Sequence, residues 1–83
     1  MALFFLDYDL RNQRNYQALY DALGTFGAVK ILESTWCFNR VNTNTVALRD
    51  YFAQFIDRDD GLCVSEVSSR ATLRTNGTPS DLK

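Results

Sequence analysis

Residues 2–8 read ALFFLDY and stop at Asp9, and this run decides where the rest of the chain must go. It is short, apolar and rich in aromatic residues, which favours a β-strand over a helix. Both parities are apolar: Phe4, Leu6 and Tyr8 share one face, Leu3 and Phe5 the other. A strand that is apolar on both sides belongs inside a sheet covered on both sides.

The stretch after it, residues 9–15 (DLRNQRN), is polar and offers Asn12 or Asn15 as a helix cap. Tyr16, Leu19, Tyr20 and Leu23, with Phe26 following, then fall on one helical stripe. Gly24 and Gly27 close that helix, Gly27 fitting the left-handed position just past its end. Residues 28–33 (AVKILE) and 34–39 (STWCFN) read as two further strands, with Glu33 and Ser34 marking a tight turn or a bend. Thr43 or Asn44 caps a second helix, in which Leu48, Tyr51, Phe52, Phe55 and Ile56 share a face. Residues 57–61 (DRDDG) form an acidic turn, and residues 62–67 (LCVSEV) alternate as a fourth strand. Residues 68–73 suit a short fifth strand or an arm. Residues 74–83, with Gly77, Pro79 and no apolar pattern, read as a flexible tail to a single domain spanning residues 1–73.

The order β-α-β-β-α-β predicts an α+β domain of ferredoxin-like type, a four-stranded antiparallel sheet with both helices on one face. The expected strand order is 4-1-3-2, which places residues 2–8 centrally. The helices cover one sheet face only. The other still carries apolar residues, and an 83-residue chain has little core to spare. A homodimer that pairs the same open face of two copies would bury them.

Nine basic and ten acidic residues leave a net charge of −1, which lacks the basic excess of a protein that coats nucleic acid. The absence of histidine removes the commonest general base and metal ligand. Cys37 and Cys63 fall on strands separated by the central one, too far apart for a disulfide, so two free thiols and a reducing, cytoplasmic setting are expected. Without histidine or further thiols beside them, they read as small buried hydrophobes. The apolar start meets Asp7 too soon for a signal peptide or a membrane span.

Several of these stretches together resemble a known family. The strand ending Leu6-Asp7-Tyr8-Asp9-Leu10, the helix bearing Tyr16, Leu19 and Leu23, Gly27, the run Glu33-Ser34-Thr35-Trp36-Cys37-Phe38, and the segments 48–56 and 59–66 are similar to the small CRISPR-associated protein of the spacer-adaptation complex. They are similar also to virulence-associated protein D, a ribonuclease of the same fold. The resemblance covers roughly residues 2–67. It implies a ferredoxin-like homodimer, possessing metal-dependent endonuclease activity on RNA or DNA. Asp9 matches the family's metal-binding aspartate, two copies facing each other across the dimer axis to hold Mg²⁺.

Mg²⁺ takes oxygen ligands at about 2.1 Å and keeps several waters. It would polarise a phosphodiester and activate water. Asp7 shares the parity of Asp9, about 7 Å along an ideal strand, and is a second metal-ligand candidate. The competing reading is that Asp9 ends the strand and caps the following turn. Arg11 and Arg14 suit phosphate, or are solvated loop charges. Ser34 suits phosphate contact, or satisfies a strand edge. Tyr8 and Trp36 suit base stacking, or belong to core or interface. Three functions remain open on the sequence: the nuclease, a non-catalytic dimer binding protein or nucleic acid, and a regulatory module with a small-ligand pocket between subunits.

Overall fold

The computed structural model describes residues 1–82. The element order is β1 (Ala2–Asp9), α1 (Gln17–Thr25), β2 (Val29–Leu32), β3 (Thr35–Arg40), α2 (Thr45–Ala53) and β4 (Gly61–Val67), with a 3₁₀ turn at Pro79–Asp81. The four strands form one sheet in the order β2-β3-β1-β4, every neighbour antiparallel. The fold is the expected α+β, ferredoxin-like βαββαβ arrangement.

Local chemistry accounts for the boundaries. Asn15 Oδ1 accepts from the Gln17 N–H at 2.8 Å, satisfying one of the free donors at the start of α1. Gly27, at φ 65°, supplies the left-handed residue that ends it. Asn44 Oδ1 accepts from the Ala47 N–H at 2.9 Å and caps α2. Glu33 and Ser34 are a two-residue hairpin turn, since Leu32 already pairs with Thr35. Residues 68–73 form no fifth strand.

The core lies between the helices and one sheet face. Phe4, Leu6, Leu19, Leu23, Phe38 and Phe52 are fully buried there. Phe26 joins them, its ring centroid 5.1 Å from Phe38 and 5.0 Å from Phe52. The Arg40 guanidinium lies 3.9 Å from the centroid of the Phe26 ring and covers its outer side.

Directly paired residues share a face. The open face therefore carries Leu3, Phe5, Asp7 and Asp9 from β1, with Val67, Ser65, Cys63 and Gly61 opposite them on β4. On β3 it carries Asn39, Cys37 and Thr35, and on β2 Val29.

Residues 76–82 of the C-terminal segment lie against the sheet edge; Lys83 lies outside the described residues. The Asn76 N–H donates to the Ile31 carbonyl at 2.8 Å, taking a bonding position on edge strand β2. Gly77 follows so closely that a Cβ there would stand 2.8 Å from Val29 Cγ1. Thr78 and Asp81 form a reciprocal capping box, and Pro79 is buried. A glycine, a cap and a proline place this segment without any apolar periodicity. Cys37 and Ile31 are buried yet stand apart from the helix-side core.

Candidate functional site

The sequence candidates gather at the C-terminal end of β1. Asp9 is the last residue of that strand, on the open face, with its side chain 72% exposed. The Arg11 Nε donates to Asp9 Oδ2 at 3.2 Å, a surface ion pair that leaves Oδ1 without a hydrogen-bond partner among the described residues. Asp7 is half-buried, and Thr35 Oγ1 donates to its Oδ1 at 2.5 Å. Asp7 and Asp9 line one cleft with Tyr8, Gly61, Leu62 and Cys63, about 250 Å³ in volume. On the other side of Asp9 a second cleft of about 380 Å³ is lined by Tyr8, Leu10, Tyr20, Lys30, Glu33 and Ser34. The strand end thus separates two clefts, and Ser34 reaches Asp9 only through the second.

The Ser34 carbonyl accepts from the Tyr8 N–H at 3.1 Å, tying the β2–β3 turn to the end of β1. Trp36 Nε1 donates to the Tyr8 hydroxyl at 3.2 Å, and Tyr20 stacks on Trp36 with ring centroids 6.4 Å apart. Tyr8 and Trp36 are therefore half-buried members of an aromatic wall rather than free stacking platforms. Burial pushes the Tyr20 hydroxyl above its ordinary pKa, with Tyr8 adding to the shift.

Arg11 and Arg14 are engaged by the acidic turn before β4. The Arg11 N–H donates to Asp60 Oδ1 at 2.7 Å, and its Nη1 to the Asp59 carbonyl at 2.6 Å. Arg14 Nη1 pairs with Asp57 Oδ1. Asn12 Nδ2 donates to Asp57 Oδ2 and Asp59 Oδ1, each at 2.8 Å. The Tyr16 hydroxyl donates to Asp60 Oδ2 at 2.8 Å, and that oxygen also accepts from the Asp57 N–H at 2.8 Å. Burial raises the Asp60 pKa, but hydrogen bonds from Arg11, Asp57 and Tyr16, with the Arg14 charge, outweigh it and hold the carboxyl below its ordinary value. A Cβ at Gly61 would stand 3.1 Å from Arg11 Nη2, so a larger residue there would shift the guanidinium by a few tenths of an ångström.

The sequence alone does not link Arg11 and Arg14 to the acidic turn at residues 57–61. The signal was their charge complementarity, visible only once the topology brings the β1–α1 and α2–β4 connections to one end of the sheet. Cys63 corrects a second reading: it is an exposed thiol, whereas Cys37 is the buried one. Both are free, as expected.

The carboxylate oxygens of Asp7 and Asp9 have the donor chemistry of a Mg²⁺ site. Among the described residues, however, one chain brings together no group of three or more Asp, Glu, Cys or His side chains placed to hold a metal. Among the same residues no helix is long and apolar enough to cross a membrane. No protein-family model matches the chain, and no solved structure matches it.

Proposed function

We propose that two copies of this chain pair through their open sheet faces to act on nucleic acid. Asp9 from each copy serves as the Mg²⁺ ligand for phosphodiester cleavage. The supporting observation is the position of Asp9: a well-exposed carboxylate on the same sheet face as half-buried Leu3, Phe5 and Val67. A copy that covers those apolar residues also brings a second Asp9 toward the first. Among the described residues one chain gathers no group of three such ligands, and pairing would add the Asp9 of a second copy.

In this reading Asp9 Oδ1 would be the oxygen offered to the ion, while Arg11 holds Oδ2 and orients the carboxylate. Asp7, held by Thr35, contributes negative charge beside the site. Mg²⁺ supplies Lewis acidity and an activated water. Arg11, Arg14 and Ser34 are the candidates for phosphate contact, the first two after release from the acidic turn. The resemblance read from residues 2–67 agrees with this assignment.

A non-catalytic dimer that binds nucleic acid or protein is the second reading. It is favoured by the Asp9–Arg11 pair, which offsets the Asp9 charge in a single chain.

The test incubates the purified protein with RNA and with DNA, in Mg²⁺, in Mn²⁺ and in chelator, beside Asp9→Ala. Metal-dependent cutting that disappears in Asp9→Ala supports the nuclease. Cutting that persists unchanged in Asp9→Ala refutes the catalytic assignment, and binding without cutting selects the second reading.

A further inference from the structure

We infer that the acidic turn between α2 and β4 is a built-in competitor for phosphate, occupying donors that a nucleic-acid backbone would otherwise take. The inference rests on the nucleic-acid reading above and adds a regulation to it. Its basis is how completely the donors of the β1–α1 connection are used. Arg11 gives a backbone N–H and a guanidinium N–H to the turn. Asn12 gives its side-chain amide to two carboxylates. Arg14 gives a guanidinium N–H, and Tyr16 its hydroxyl.

A guanidinium, a side-chain amide and a backbone N–H converging on anionic oxygens make the kind of donor set that holds a phosphate. Here the oxygens belong to Asp57, Asp59 and Asp60. The competitor has two parts of unequal strength. Asp60 sits inside, bonded by Tyr16, Arg11 and Asp57, and its role is to shape the turn. Asp57 and Asp59 sit outside it. The Arg14–Asp57 pair is partly solvated, with 42% and 29% of the two side chains exposed. Ion pairs of this kind are weak and screened by salt. A polyanion presenting several phosphates can therefore exchange for Asp57 and Asp59 while Asp60 keeps the loop folded. The exchange breaks no covalent bond: the Arg14 guanidinium and the Asn12 amide pass from carboxylate to phosphate, and the Arg11 guanidinium from the Asp59 carbonyl. It also reconciles a net charge of −1 with a nucleic-acid partner, since Arg11 and Arg14 are present but engaged by acidic groups at rest.

The test is binding of a fluorescent single-stranded oligonucleotide by the wild type, Asp57→Asn, Asp57→Asn with Asp59→Asn, and Asp57→Asn with Arg14→Gln. Arg Nε–Hε NMR signals under inorganic phosphate give a readout independent of nucleic acid. Asp57→Asn is expected to bind about three- to ten-fold more tightly, with a salt slope steeper by about one for the freed arginine. Arg14→Gln is expected to cancel that gain. Unchanged affinity in Asp57→Asn, or a gain that survives Arg14→Gln, overturns the competitor role. Wild-type binding with no response to Asp57→Asn removes this inference alone. Phosphate shifts at Arg14 in Asp57→Asn without oligonucleotide binding by any variant keep the competitor and remove the nucleic-acid reading. Silence in both assays removes both.

Discussion

The Tyr16 hydroxyl donates to Asp60 Oδ2 at 2.8 Å, joining the residue that precedes α1 to the connection that leads into β4. Tyr16 also belongs to the buried core, so one side chain anchors the polar network to the apolar interior. The two loops that frame the end of β1 are held in register by this contact.

The pH dependence follows from the same pair. Asp60 is depressed below its ordinary carboxyl pKa, so its stabilisation is complete above the unfolded value, about 4. It is lost as pH falls through the folded value. Tyr16 is raised, by burial first and then by its bond to Asp60, so its stabilisation is complete below about 10. It is lost as pH climbs through the folded value. Urea midpoints measured across pH should fall at both ends. Asp60→Asn is expected to flatten the acid limb and Tyr16→Phe the alkaline limb. Unaltered limbs in both variants would show that the loops are not locked this way.

The C-terminal segment should guard one thiol and not the other. Cys63 is exposed, while Cys37 is buried on the open face and burial pushes its thiol pKa up. A disulfide reagent is expected to modify only Cys63 in the native protein. Deleting residues 75–83 should make Cys37 reactive as well, with the far-ultraviolet spectrum retained. Slow Cys37 modification after the deletion would mean that the sheet alone shields it.

Core and capping substitutions should separate by size. Phe38→Ala removes a fully buried ring in contact with Phe4, Phe26 and Phe52, and should cost about 3–5 kcal/mol in chemical unfolding. Asn44→Ala removes the α2 cap and should cost about 1 kcal/mol. Leu73→Ala, at a residue 73% exposed, should change stability by less than about 0.5 kcal/mol. A reversal of this order would relocate the core.

Gly77 should not tolerate a side chain. A Cβ there would stand 2.8 Å from Val29 Cγ1 and 2.9 Å from the Lys30 carbonyl. Gly77→Ala is expected to lift the segment off β2 and speed Cys37 modification, which kinetic thiol labelling would read. Wild-type kinetics would show that the close approach is not needed.

Much of the fold was legible because it is written in periodicity. The double-sided run at residues 2–8 placed β1 centrally, the helical stripes gave α1 and α2, and Gly27 and Asn44 marked ends that the structure keeps. What escaped depends on long-range pairing. The end of β1 extends to Asp9 because Gly61 pairs with it, a partner 52 positions away. Phe55 and Ile56 lie beyond the end of α2 at Ala53 and pack against the core from the turn that follows. The docking of residues 76–82 relies on a glycine, a cap and a proline, which look alike in a tail and in a fitted strap. At the site, the face shared by Asp7 and Asp9 followed from parity. Arg11 and Arg14 carried no sign of which acidic groups would meet them.

On the open sheet face the segment 76–82 covers the β2 side and leaves Leu3, Phe5 and Val67 half-buried. Sedimentation equilibrium at micromolar concentration tests pairing through this face most directly. The predicted result is a species of twice 9.5 kDa that Phe5→Lys converts to a single copy. A wild-type chain that stays at 9.5 kDa across that range would contradict the pairing and, with it, a metal site shared by two Asp9 carboxylates.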